Sequence, residues 1–90
     1  MTKADLVEAV AAHGSGLSRK SAGEVVDLVF DTIGRAIRND GRFSYPRFGT
    51  FTVRQRRARR GRNPRTGIEM RIAASRTVGF RPAAELKGAL

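Results

Sequence analysis

The chain has 90 residues and carries 18 Lys and Arg against 8 Asp and Glu, a formal net charge of +10. That length allows one small domain, and a hydrophobic content of 40% is too high for a disordered basic tail. The absence of cysteine excludes a disulfide framework and any Cys-ligated metal or redox centre, no apolar run is long enough to span a membrane, and an opening that contains Lys3 and Asp5 does not read as a signal peptide.

An intracellular aqueous location is therefore expected. In chain order, Thr2 is the expected N-cap of a first helix, with Asp5 only approximating the acidic partner of a capping box. Leu6, Val7, Val10 and Ala11 recur at helical spacing and give that helix one apolar face. His13-Gly14-Ser15-Gly16 breaks the pattern. Ser18 then opens a second helix over residues 19–38, which Asn39-Asp40-Gly41 ends.

The second helix bears on assembly. Lys20, Glu24, Asp27, Asp31, Arg35 and Arg38 fall on a stripe roughly 80° wide at 100° per residue. The remaining surface, which includes Val25, Val26, Leu28, Val29, Phe30, Ile33 and Ile37, is apolar. One packing partner does not cover so wide a face, and a chain of this size has few other elements to offer. The pattern predicts packing against a second subunit, most simply as a twofold dimer. Gly23 and Gly34 weaken the helix intrinsically and are tolerable if they admit a close neighbour.

Beyond Gly41 the pattern changes to strands. Arg42-Phe43-Ser44-Tyr45 is one, interrupted by Pro46; Phe48-Gly49-Thr50-Phe51-Thr52-Val53 is the next. The run from Arg54 to Arg62 is dominated by arginine and builds no globular core. Asn63-Pro64-Arg65-Thr66-Gly67 is turn chemistry. Ile68, Met70 and Ile72 then alternate with Glu69 and Arg71 as in a strand, and the pattern continues weakly to Phe80. Pro82 suits the first turn of a short terminal helix over residues 83–90. A basic hairpin with its tip near Pro64 thus interrupts a compact core.

Charge follows this division. Residues 1–46 hold six basic and six acidic side chains; residues 47–90 hold twelve basic ones against Glu69 and Glu85, so the whole excess of ten lies there. A neutral scaffold joined to a polyanion-binding half is the expected organisation. A two-stranded ribbon this cationic is only marginally stable until an anion neutralises it.

Phe48-Gly49-Thr50-Phe51 and Gly61-Arg62-Asn63-Pro64-Arg65-Thr66-Gly67 resemble the signature of the HU/integration host factor family of bacterial histone-like DNA-bending proteins, and HU in particular. The Lys3-to-Val10 segment, Leu17-Ser18 and Phe80 before a short helix fit the same order, so the resemblance covers essentially the whole chain. It implies an α+β fold in an intertwined dimer, with a helical base, a β-sheet saddle and two extended β-ribbon arms. On that pattern residues 1–41 form the helical dimerisation half, 42–53 and 76–82 the saddle, 54–75 the arm and 83–90 the final helix. The partners implied are double-stranded DNA and a second copy of the chain or a paralogue, in the cytoplasm at the bacterial nucleoid, with no membrane and no cofactor.

The resemblance also assigns residues. Arg54, Arg56, Arg59, Arg62, Asn63, Pro64, Arg65 and Arg71 are the expected DNA contacts of the arm, with Pro64 as the intercalating wedge in the minor groove. The residue chemistry agrees: arginine offers a planar fork of donors to phosphate, and proline is a rigid apolar ring without an N–H. For Arg57, Arg60 and Arg65 a solvated position is the competing reading; for Pro64 it is an ordinary turn proline. Lys3, Arg47, Arg76, Arg81 and Lys87 are the expected body contacts; for Lys3, Arg76, Arg81 and Lys87 a solvated charge is an equal reading, and for Arg47 the competing reading is that it only alters a turn. Val29, Ile33, Phe48, Phe51 and Phe80 are expected in the dimer core, and Tyr45 and Met70 are also read as packing residues.

Three positions depart from the family pattern. Arg47 stands where glycine is frequent, Ile68 where lysine is frequent, and Ala83-Ala84 where Gly-Lys is common, which places a body contact there in doubt. Enzyme readings find little support: His13 is the one histidine, Asp27 and Asp31 belong to a solvated stripe without metal-ligand neighbours, and Gly61 to Gly67 lacks the Lys-Ser/Thr of a phosphate-binding loop. The alternatives are a sequence-preferring bender like integration host factor, an RNA- or ribosome-associated basic protein, and a DNA-coating protein that stiffens without bending.

Overall fold

The computed structural model describes residues 1–14 and 16–90; Ser15, within the expected break between the helices, lies outside them. The fold is α+β. Its elements are α1 (Lys3–Ala12), α2 (Arg19–Asp40), β1 (Arg42–Tyr45), β2 (Gly49–Arg56), β3 (Arg59–Arg62), β4 (Glu69–Ile72), β5 (Ser75–Pro82) and α3 (Ala84–Gly88). They form two compact units, residues 1–36 and 37–90.

In the first unit, Thr2 and Asp5 make a complete capping box. The Thr2 hydroxyl accepts from the Asp5 N–H, and the Asp5 carboxylate accepts from the Thr2 N–H at 2.8 Å. A short acidic side chain therefore does fill the role usually given to Glu or Gln. Ser18 Oγ accepts from the Ser21 N–H at 3.1 Å and so opens α2. Lys3 pairs with Asp27 at 2.8 Å and Arg19 with Glu8 at 3.5 Å, both exposed pairs of small energetic weight. Ala22 and Val26 are buried. Val25, Leu28, Val29 and Phe30 keep 40–60% of their surface exposed within the single chain, so part of the wide apolar face of α2 is left uncovered. Neither Gly23 nor Gly34 is crowded by its own chain: a methyl group at Gly23 would make only ordinary contact with Val7, and one at Gly34 would meet nothing.

The second unit holds a three-stranded antiparallel sheet, order β1-β2-β5, and a separate two-stranded ribbon, β3-β4. Directly opposed residues share a face. One face of the sheet stacks Phe43, Phe51 and Phe80 in a row, with Val53 opposite Val78. Ring centroids of Phe51 and Phe80 lie 4.7 Å apart, and Phe48 joins Phe80 at 5.3 Å. Such aromatic pairs add about 0.5–1.5 kcal/mol each beyond area burial. Gly49 is buried beneath them; a Cβ there would lie 2.6 Å from the Phe80 ring and 2.5 Å from the Arg81 carbonyl oxygen. This close approach explains the glycine of the Phe-Gly-Thr-Phe motif.

Two boundaries differ from the sequence reading. Helix α2 continues through Asp40 and is closed by the Gly41 N–H bonding to the Ile37 carbonyl at 3.0 Å. The terminal helix α3 spans Ala84–Gly88, shorter than the expected 83–90; Pro82 is the last residue of β5, opposite Gly49, and Ala83 is the N-cap of α3 and supplies no side-chain cap. Proline is tolerated there because β5 is an edge strand.

Candidate nucleic-acid interface

The face of the sheet opposite the aromatic row is polar. Register places Arg42, Thr52 and Gly79 in one row, Ser44, Thr50 and Arg81 in the next, then Arg54 opposite Thr77 and Arg56 opposite Ser75. Arg42, Arg54, Arg56 and Arg81 are exposed. Small residues between them leave room for long side chains to lie down: the Arg54 guanidinium covers Gly79, where any Cβ would collide with its Nε and Cζ. Ser44 and Thr50 hydroxyls bond to each other at 3.0 Å. The result is a flat, hydroxyl-rich, cationic surface matched to phosphate.

Of the sequence-derived candidates, Arg54, Arg56 and Arg81 come together here. Arg76 lies opposite Gln55, in the alternation of Phe51 and Val53, and so shares their face instead. Lys3, in the other unit, is engaged with Asp27. Arg42, Ser44, Thr50 and Thr52 join the polar face although none was singled out. Their signal was period-two alternation: Arg42 and Ser44 alternate with Phe43 and Tyr45, and Thr50, Thr52, Arg54 and Arg56 alternate with Gly49, Phe51 and Val53.

The ribbon carries the rest. Register puts Arg60 opposite Arg71 and Arg62 opposite Glu69 on one face, and Arg59 opposite Ile72 and Gly61 opposite Met70 on the other. Arg62 and Arg71 thus sit together, apart from Arg59. Two arginines directly opposed destabilise a ladder, and the offset is one exposed ion pair, Arg60 to Glu69 at 3.7 Å. Ile68, Met70 and Ile72 remain 38–66% exposed. Every residue of β4 is exposed, so the ribbon has no core of its own.

Its tip is built by Asn63. The Asn63 N–H donates to the Ile68 carbonyl at 2.9 Å, its carbonyl accepts from the Gly67 N–H at 2.8 Å, and its side-chain Oδ1 accepts from the Arg65 N–H at 2.9 Å. Thr66 Oγ1 accepts from the Ile68 N–H, and Gly67 takes the positive φ that closes the turn. Pro64 and Arg65 are held exposed at the end of this braced loop.

The sequence model of the family described as "Bacterial DNA-binding protein" matches residues 1–90. The chain is a member of that family, the bacterial histone-like proteins of the HU and integration host factor type. DNA-binding protein HU of Geobacillus stearothermophilus is 49% identical over 100% of this chain and 99% of its own length. Integration host factor subunit alpha of Myxococcus xanthus is 47% identical over 100% of this chain and 69% of its own. Among solved structures, an Anabaena HU–DNA cocrystal superposes with a TM-score of 0.84 at 35% identity, covering 99% of this chain and 96% of that one. The HU-type fold supports an architectural DNA-binding role, not an enzymatic one. No helix among the described residues is long and apolar enough to cross a membrane.

Proposed function

We propose that the chain works as a dimer that binds duplex DNA with little sequence preference, reaches into the minor groove with its ribbon arms, and bends the duplex by wedging Pro64 between base pairs. The carrying observation is the braced tip: four hydrogen bonds hold Pro64 exposed at the end of a ribbon whose flanks are arginine. A wedge needs an apolar group on a stiff mount, and Pro64 meets both needs. Arg54, Arg56, Arg59, Arg62, Arg65 and Arg71 neutralise phosphates, while Asn63 donates to minor-groove acceptors. Those acceptors scarcely distinguish A·T from T·A, which favours weak sequence preference. The partly uncovered apolar face of α2, with exposed Val29 and half-buried Ile33, and the cluster of Phe48, Phe51 and Phe80 supply the dimer core. The place of action is the bacterial nucleoid in the cytoplasm.

Ring closure of short DNA fragments tests the bending. Pro64→Ala should lose ring closure while retaining most of its affinity; equal ring closure by that variant refutes the wedge. The near-equal identity to relatives named HU and integration host factor supports a second reading, a site-preferring bender. Competition among random duplex, kinked duplex and RNA at fixed salt separates the two and also tests the RNA alternative.

A further inference from the structure

The two faces of the ribbon differ in chemistry. Arg60, Arg62, Glu69 and Arg71 share the charged face, where the Glu69 carboxylate is paired with Arg60. The other face carries Arg59 and Gly61 on one strand and Met70 and Ile72 on the other. The bond from the Asn63 N–H to the Ile68 carbonyl extends that register by one pair, so Ile68 stands opposite Asn63, in a row with Met70 and Ile72. Exposure along this row rises toward the tip, from 38% at Ile72 through 48% at Met70 to 66% at Ile68. Ile72 is folded down onto the ribbon, since a Cβ at Gly61 would lie 2.8 Å from its Cδ1. Ile68 is the most open of the three, and it closes the turn that presents Pro64.

The oxygens around Ile68 are already engaged. Asn63 Oδ1 accepts from the Arg65 N–H at 2.9 Å, Thr66 Oγ1 accepts from the Ile68 N–H at 3.3 Å, and the Ile68 carbonyl accepts from the Asn63 N–H. Glu69 lies on the opposite face. Arg59, on the same face as Ile68, adds donors only. The row is thus an apolar strip set among cations, with nothing aimed at accepting a hydrogen bond.

We infer that Ile68, laid against the floor of the minor groove, selects against guanine beneath the arm tip. Such selection rests on the minor-groove reading above and deepens it: it acts on base composition, not on a particular site. The walls of that groove are deoxyribose C–H groups, which suit an apolar strip, and the phosphates beyond them suit the arginines on either side. A·T and G·C pairs both present acceptors on the floor, and G·C alone adds a donor, the guanine 2-amino group. Covered by Ile68, that amine loses its water and meets no acceptor, and a donor buried without a partner is costly. The acceptors are common to both pairs, so the amine alone sets the sign of the preference.

The test measures binding of the full-length chain and of Ile68→Gln to four duplexes of equal length across a salt series. They are A·T, G·C, inosine·C, which lacks the 2-amino group, and 2,6-diaminopurine·T, which gains it. The parent should bind the A·T and inosine·C duplexes about 5-fold more tightly per arm than the other two, about 25-fold for a dimer. Ile68→Gln touches no core residue and supplies an amide oxygen to the amine, so the dimer ratio should fall below about 2. A parent that binds all four duplexes alike overturns the inference. So does a ratio that survives Ile68→Gln, because the arginines kept in that variant would then be reading groove width. A strip covered by a second copy of the chain would give equal affinities and a changed elution volume for Ile68→Gln in gel filtration, which also overturns it. A parent with no salt-dependent binding to any duplex refutes the DNA reading itself instead.

Discussion

The three-stranded sheet and the ribbon are both antiparallel and both rich in arginine, yet they are ordered for opposite reasons. In the sheet, the arginines occupy one face while Phe43, Phe51 and Phe80 stack on the other over a buried Gly49. In the ribbon, arginines occupy both faces, Arg60 stands opposite Arg71, and every residue of β4 is exposed. The sheet spends its charge on a surface that packing already holds. The ribbon has charge in place of packing, so its order depends on what neutralises it. A protein that grips a polyanion gains from this division, because the arm adapts to the duplex while the sheet keeps its shape.

The strongest way to break the comparison is to strip the arm. On the proposed reading, replacing Arg59, Arg62 and Arg71 by alanine removes three phosphate contacts per chain. At about 0.9 log unit each near 0.1 M salt, a dimer should lose on the order of 10⁵ in affinity. Its melting temperature should stay that of the parent, because no core residue is touched. Titration and melting of one variant check both halves of this expectation. Gly49→Ala is the converse. Its Cβ has no room beside the Phe80 ring and the Arg81 carbonyl, so stability should fall by about 1–3 kcal/mol, read by denaturant unfolding. The smallest effect belongs to Thr2→Ala, which removes the capping box from α1. It should cost about 1 kcal/mol, with DNA affinity unchanged in a binding titration.

Much of this division is legible in the sequence because it rests on short-range signals. Hydrophobic period identifies α2, Asn63-Pro64 identifies the tip, and the arginine run identifies the arm. Arg59, Arg62 and Arg71 were named from the family resemblance, but which of them share a face was not legible, because that depends on cross-strand register: Arg62 and Arg71 sit together only because Arg60 pairs with Arg71 and Arg62 with Glu69. Arg42 escaped notice for a related reason. A single arginine at a strand start carries no motif, and it joins Arg54 only through its pairing with Thr52. The left-handed backbone at Arg47 was hidden because the residue type argues against it.

Amide hydrogen exchange with and without duplex DNA tests the central contrast most directly. Residues 49–53 and 78–81 of the sheet should be protected in both states. Residues 59–62 and 69–72 of the ribbon should exchange rapidly in the free protein and become protected when duplex is bound. A ribbon as protected as the sheet before DNA is added, or one that stays unprotected in the complex, would contradict the claim that its order comes from the polyanion it grips.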